Sequence, residues 1–267
     1  MKILHVVPSY IPAYRYGGPI YSVHGICRAL AAQGHKVSVC TTNVDGLCDA
    51  NVPLDAAVDI DGVAVRYFSS HAFRRIYYSA GMHAYLKREI KYFDLVHNHS
   101  VFLWPTWAAA REAEKNKIPY VISPRGMLVK ELIEQKSRCM KIAWIKLIEK
   151  RNIEKAGAIH LTSEVEKKEF ERFNFKTNGL FVVPNGVFFS DTASVTPAAL
   201  SPRIKNLVSR PYILFLGRVH WVKGLDRLIS AMKYVPDMRL VIAGNDEEGY
   251  QKKLNELVSS LGLKDIV

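Results

Sequence analysis

Two cations in one predicted turn, Arg218 and Lys223, are the residues of this chain best suited to hold a charged ligand. They lie in the stretch Phe215-Leu216-Gly217-Arg218-Val219-His220-Trp221-Val222-Lys223-Gly224-Leu225. An apolar run, Tyr212–Leu216, precedes them, and Leu225, Leu228, Ile229 and Met232 follow at helical spacing. That pattern predicts a strand, a glycine turn and an amphipathic helix, a corner that places ligands at the carboxyl end of a sheet. Fixed positive charge beside a helix N-terminus suits a diphosphate. The competing reading is an exposed basic turn.

A second candidate is Gly17-Gly18, between the predicted first strand and first helix. Glycines there let a ligand approach the backbone, and free N–H groups at a helix start favour anions; a plain tight turn is the alternative. The G-x-G-x-x-G spacing of dinucleotide binders is absent, which argues against a dehydrogenase or epimerase. His97 and His99 end a short apolar strand and alternate with Asn98, so they share one face. One of them is expected to point into a cleft, to position an acceptor or carry a proton. The alternative is a hydrogen-bonded core histidine. No acid or cysteine sits near them at ligand spacing, so no metal is expected.

These groups need elements to hold them. Apolar strands are predicted at Ile3–Val7, Lys36–Cys40, Val63–Phe68, Leu95–His97, Tyr120–Ser123, Ala158–Leu161 and Phe181–Val183. Helical patterns lie between them: Pro19 to Gly34, Tyr77–Lys91, Thr106–Lys115, Ser137–Ala156, and one starting at Ser163 with Glu166 as its capping-box partner. Gly46 to Asp61 reads as a loop or hairpin. Alternation of near-continuous apolar strands with helices predicts an α/β fold with a doubly wound, parallel sheet. Residues 190–209, rich in Ser, Thr and Pro, read as a linker, and a second unit starts at residue 210 with strands Tyr212–Leu216 and Arg239–Ala243. Asp265-Ile266-Val267 reads as the opening of a third strand.

The 267 residues, with 49% hydrophobic and 23% charged side chains, are ordinary for a globular protein. No run of about 18 apolar residues is present, and the apolar N-terminus is too short for a signal peptide, so a cytoplasmic location is expected. The four cysteines have no metal-site spacing. A net charge of +12 fits phosphorylated small molecules, an anionic membrane or nucleic acid; without any nucleic-acid-binding motif, the last is disfavoured. Residues 137–156 carry Arg138, Lys141, Lys146, Lys150, Arg151 and Lys155 interleaved with Trp144, Ile145 and Leu147, a pattern open both to an anionic bilayer surface and to a packed helix with a basic outer face.

Taken together, the segments resemble family 4 of the retaining glycosyltransferases, which have the two-Rossmann-domain GT-B fold. The resemblance rests on Met1-Lys-Ile-Leu-His-Val-Val-Pro8, Gly17-Gly18, Leu30-Ala-Ala-Gln-Gly-His-Lys-Val37, Asp94-Leu-Val-His-Asn-His99, Val121-Ile-Ser-Pro-Arg-Gly-Met-Leu128, Leu161-Thr-Ser-Glu164, Val183-Pro-Asn-Gly-Val187, Gly217-Arg218 with Lys223-Gly224, and Leu240-Val-Ile-Ala-Gly244. It implies transfer of a sugar from a nucleotide-diphospho-sugar to a hydroxyl acceptor with retention, the acceptor being a surface polysaccharide or lipid-linked glycan, without a further cofactor. It implies donor-diphosphate contacts at Arg218, Lys223, Gly17 and Gly18, and catalytic roles for His99, His97 and Arg125. Many members have a histidine near the position of Arg125; the Ser123-Pro124-Arg125-Gly126 form offers an arginine for a phosphate or sugar hydroxyl instead. Ser123, Thr162, Ser163, Glu164 and Asn185-Gly186 fall at the cleft edge, or serve only as caps and turns.

The expected domains are therefore 1–189 for the acceptor, 190–209 as linker and 210–267 as part of a nucleotide-sugar domain. The family's second domain carries two glutamates eight positions apart that grip the donor; Glu247 and Glu248 come too early to match them. The resemblance thus implies a C-terminally truncated member, with a separate chain as one source of the rest. The alternative is a non-catalytic module that binds an acceptor or a partner.

Overall fold

The computed structural model describes residues 1–135, 138–187, 204, 211–246 and 249–267. Nearly all of the expected linker, the start of the helix expected at Ser137, and Glu247 and Glu248 lie outside the described residues. The chain forms two units, Met1–Phe188 and Phe189–Val267.

The first unit contains strands β1 (Lys2–Val6), β2 (Lys36–Thr42), β3 (Val44–Asp45), β4 (Cys48–Asp49), β5 (Ala57–Ile60), β6 (Val63–Phe68), β7 (Leu95–His99), β8 (Tyr120–Ser123), β9 (Ala158–Leu161) and β10 (Leu180–Val182). Its helices are α1 (Gly18–Ala32), α2 (Ala80–Glu89), α3 (Trp104–Asn116), α4 (Lys130–Gln135), α5 (Arg138–Trp144), α6 (Lys150–Lys155) and α7 (Glu164–Glu171). One eight-stranded sheet runs β10-β9-β8-β7-β1-β2-β6-β5. All its pairings are parallel except β5 with β6. β3 and β4 form a separate antiparallel pair. The stretch 46–61, expected as a loop or hairpin, therefore supplies an edge strand, β5, paired antiparallel with β6.

Burial explains the pattern. Leu4, Val6, Val39, Val65, Val96, Ile122, Ile159 and Leu161 are almost wholly removed from solvent, and each such side chain contributes about 1.5–3 kcal/mol. The chain winds outward from β1 to β6, then returns to build β7 through β10 on β1's other side. The β1/β7 junction is thus the switch point, where open α/β sheets bind ligands. Several elements differ in detail from expectation. Strand β7 continues to His99, which pairs with Ser123 of β8. Helix α2 starts at Ala80, because Ser79 caps it through Met82 N–H while Tyr77 takes a left-handed conformation (φ 59°). The long basic helix contains a π-helical turn, Ile145–Glu149, between α5 and α6. That turn buries Glu149, whose Oε1 accepts from Phe102 N (2.8 Å) and Trp144 Nε1 (2.9 Å). Trp144 is therefore tied inward, while Met140 and Leu147 stay exposed.

The second unit pairs β11 (Tyr212–Leu216) with β12 (Arg239–Ala243) in parallel. Helices α8 (Leu225–Ala231) and α9 (Tyr250–Ser260) complete it, around a core of Leu225, Ile229, Leu240, Leu254 and Val258. Asp246 accepts from the N–H groups of Tyr250 and Gln251 at the start of α9 (2.8 and 3.0 Å). Residues 265–267 do not form the expected strand; Ile266 instead turns its carbonyl to Leu240 N–H at 2.6 Å. A Cβ at Gly244 would overlap the Gly217 carbonyl, so the two strand ends require a glycine there. Among the described residues, no helix is long and apolar enough to cross a membrane.

Candidate functional site

The parallel pairing of β1 with β7 sets His5 beside His97 in register, and His99 lies two residues further along the same face. All three are buried. His5 Nδ1 lies 2.9 Å from His99 Nε2. Arg125 Nε donates to His99 Nδ1 at 3.2 Å. A second chain starts at His97 Nε2, 2.8 Å from Ser123 Oγ, and continues through His160 Nδ1 (2.8 Å) and His160 Nε2 to the Val183 carbonyl (3.0 Å).

Burial holds these imidazoles neutral. It pushes His5 down to about 3, with the Arg125 charge adding to the effect. His97 and His99 are held well below the usual histidine range, first by burial and then by each other and Arg125. His160 is lowered as well, again chiefly by burial. With neutral rings, the donors fix the tautomers. Arg125 can only donate, so His99 Nδ1 accepts and its proton is on Nε2, which donates to His5 Nδ1. The Val183 carbonyl can only accept, so His160 carries its proton on Nε2, Ser123 donates to His160, and His97 Nε2–H donates to Ser123. All four rings therefore have the same tautomer.

The left-handed turn Arg125-Gly126 (φ 55° and 73°) projects Arg125 between this cluster and a cavity. The guanidinium is mostly buried, and burial lowers its pKa to about 10, against the nearby Glu166 charge. Its Nη1 donates to Ser22 Oγ (3.0 Å) and Asn185 Oδ1 (2.8 Å), while Nη2 is buried without a partner. Glu166 pins the turn: Oε1 accepts Gly126 N–H (2.6 Å) and Oε2 accepts both N–H and Oγ of Thr162 (2.7 Å each). Ser163 caps α7 through Glu166 N–H, but the Glu166 carboxylate goes to these groups, so only half of the expected capping box forms.

The cavity, about 660 Å³, is lined by Gly18, Ser22, Arg28, Arg125, Thr162 and Asn185 among others, with no carboxylate among the described residues. Gly17 (φ 68°) caps the start of α1 in a left-handed conformation. Gly18 is the first residue of that helix, and a Cβ there would meet nothing within 4 Å. Arg125, Asn185 and Gly18 thus meet at one cavity, with Ser123 behind them in the histidine chain. Neither His97 nor His99 lines the cavity, contrary to the expectation that one would; Arg125 covers His99 instead. Glu164 is exposed on α7 and pairs with Lys167 (3.9 Å); the acid that holds the Arg125-Gly126 turn is Glu166. Arg218 and Lys223 lie in the second unit. Arg218 is half-buried just after β11. Lys223 is exposed in a short turn capped by the His220 ring, beside a depression of about 410 Å³ shared with Trp221, Arg227 and Tyr250.

His5, His160, Glu166 and Ser22 escape a reading by segment. Their roles depend on strand pairing, although the period-2 spacing of His97 and His99 next to a histidine-bearing first strand carries part of the signal. His5, His97 and His99 bring three ring nitrogens within 4.8 Å of one another, the spacing of a metal site. The donor set does not fit a cation. Arg125 occupies the His99 Nδ1 lone pair, no carboxylate of the described residues joins the cluster, and bound metal would face an adjacent guanidinium.

Comparison with known proteins bears on both units. The profile of Glycosyltransferase Family 4 matches residues 16–190, and that of Glycosyl transferases group 1 matches residues 200–267. A D-inositol 3-phosphate glycosyltransferase of Xylanimonas cellulosilytica is 26% identical over 275 residues, covering 94% of this chain. The chain spans 64% of that relative's length. Among solved structures, sucrose-phosphate synthase from Thermosynechococcus elongatus superposes with a TM-score of 0.70 at 17% identity, covering all of this chain and 69% of the other. Anabaena HepE in complex with UDP and glucose superposes at 0.68 and 16%, with 100% and 68% covered. The fold is the GT-B type.

Proposed function

We propose that this chain, which belongs to glycosyltransferase family 4, carries the acceptor site and the first part of the donor site of an enzyme that moves a sugar from a nucleotide-diphospho-sugar to a hydroxyl acceptor with retention. The observation that carries this reading is the cationic cavity at the carboxyl end of β8, where Arg125, Asn185 and the start of α1 converge. A glycosyl acceptor needs a pocket of this size with a few fixed polar groups. The donor diphosphate is assigned to Arg218 and Lys223, whose charge offsets that developing on the departing phosphate. The acceptor hydroxyl attacks on the face the diphosphate leaves, and the leaving phosphate takes its proton. The histidine chains have no carboxylate and no ring at the cavity wall, so they are assigned to positioning Arg125. No cofactor beyond the donor sugar enters this scheme.

A surface polysaccharide or lipid-linked glycan is the acceptor class assigned. Exposed Met140 and Leu147 among Lys146, Lys150 and Arg151 support peripheral contact with an anionic membrane. The test is calorimetric titration of the chain with UDP, GDP and their sugars, repeated with Arg218→Ala and Lys223→Ala. Binding that each substitution weakens at least tenfold supports the donor assignment. Absence of binding to every nucleotide favours a non-catalytic acceptor- or partner-binding role.

A further inference from the structure

The charge balance around Arg125 says something about the acceptor itself. Arg125 is mostly buried, yet every hydrogen bond it makes goes to a neutral group: His99 Nδ1, Ser22 Oγ and Asn185 Oδ1. The nearest acid, Glu166, has both oxygens committed to Gly126 and Thr162. Nη2 has no partner. Arg28 lines the same cavity, and among the described residues that line it there is no Asp or Glu. His24, also on the wall, is held by Tyr10 (2.8 Å) and by Asp61 (2.9 Å), an exposed residue that does not line the cavity. A buried cation without an anion is costly to keep, and the cost falls when an anion arrives.

We infer that the acceptor bears a compact oxyanion, phosphate or carboxylate, that docks against Arg125 in the cavity of the first unit. This inference rests on the transferase reading above and names the substrate class of that site. The Asn185 amide oxygen holds the place of the anion at Nη1. An oxyanion that displaces it takes Nη1 and Nη2 together, in the two-pronged geometry that guanidinium favours over ammonium. Gly18 lines the same cavity with open space where a Cβ would stand and adds the start of α1. The cavity's 660 Å³ accommodates a saccharide with such a group attached.

The test is calorimetric titration of the chain with inorganic phosphate, glucose 6-phosphate, glucuronate and glucose, each with and without saturating UDP. The anionic sugars are expected to bind at least tenfold more tightly than glucose. Their ranking against each other and against phosphate identifies the anion. Arg125→Lys, with folding checked by circular dichroism, should lose at least tenfold of that binding. Asn185→Ala should retain or tighten it, which keeps the test decisive if the arginine variant fails to fold. Equal binding of glucose, no binding of any anion, or full affinity in Arg125→Lys would overturn the inference. So would displacement of the anion by UDP, which would make the donor diphosphate the natural partner of Arg125. UDP binding with no anion binding would leave the transferase reading intact and remove this one alone.

Discussion

Arg125 and Arg172 are both held by several hydrogen bonds, and they differ in what they bond to. Arg172, on the outer surface at the end of α7, donates to Glu131 (2.7 and 3.0 Å) and Glu169 (2.6 Å). Those carboxylates raise its pKa above the usual arginine value. Arg125, at the cavity wall, bonds only to neutral groups, and burial lowers its pKa to about 10. The surface arginine is charge-balanced and screened by water. The inner one is unbalanced and surrounded by four neutral imidazoles. A basic protein can hold dozens of cations, but Arg125 has no carboxylate among its hydrogen-bond partners and keeps Nη2 buried without one.

Acidification should break the inner region first and most strongly. A histidine whose folded pKa lies below its unfolded value of about 6.5 leaves the folded state with fewer bound protons than the unfolded state, so stability falls as pH drops through that window. The window runs from about 6.5 down to about 3 for His5, with His97 and His99 shifted the same way. A ring that stays neutral in the fold while its unfolded counterpart charges costs up to about 1.4 kcal/mol per pH unit within that window. Urea titrations at pH 7.5 and 5.0 should show a large loss of midpoint; equal midpoints would mean the rings titrate normally. Glu166→Ala comes next. It removes the acceptor of Gly126 N–H and of both donors of Thr162, partly exposed groups that each lose about 1 kcal/mol of hydrogen bonding, and it frees the turn that aims Arg125. Thermal melts and anion titrations should fall together. A lowered melt with unchanged anion affinity would separate Glu166 from the site. Arg172→Ala should have the smallest effect, since exposed ion pairs contribute little. A melting temperature that drops by several degrees would erase the contrast between the two arginines.

The fold was largely legible in the chain because its strands are short, apolar and separated by helical periodicity. Ile3–Val7, Tyr120–Ser123 and Ala158–Leu161 lie within one residue of β1, β8 and β9. The edge strand β5 was not, because Ala57–Ile60 is half-polar and pairs on one side only. The π-helical turn was not, because its cause is tertiary: a buried carboxylate reaching Phe102 from another segment. For the site, Arg125, Asn185 and Gly18 were legible as motif residues. His5 and His160 were not, because only the strand order makes them neighbours of His97 and Ser123. Glu164 and Glu166 stand two residues apart, and the helix start places the second, not the first, toward the Arg125 turn.

The two histidine chains also amount to a parity rule. Each ring passes its proton in a set direction, away from Arg125 in one chain and toward the Val183 carbonyl in the other. Turning over any single ring would set donor against donor or lone pair against lone pair somewhere in its chain. Rewriting every ring at once fails as well, because Arg125 can only donate and the Val183 carbonyl can only accept, so each chain has a single allowed spelling. Nitrogen-15 spectra of labelled imidazoles should therefore show one tautomer at His5, His97, His99 and His160, with no ring exchanging independently of its neighbours.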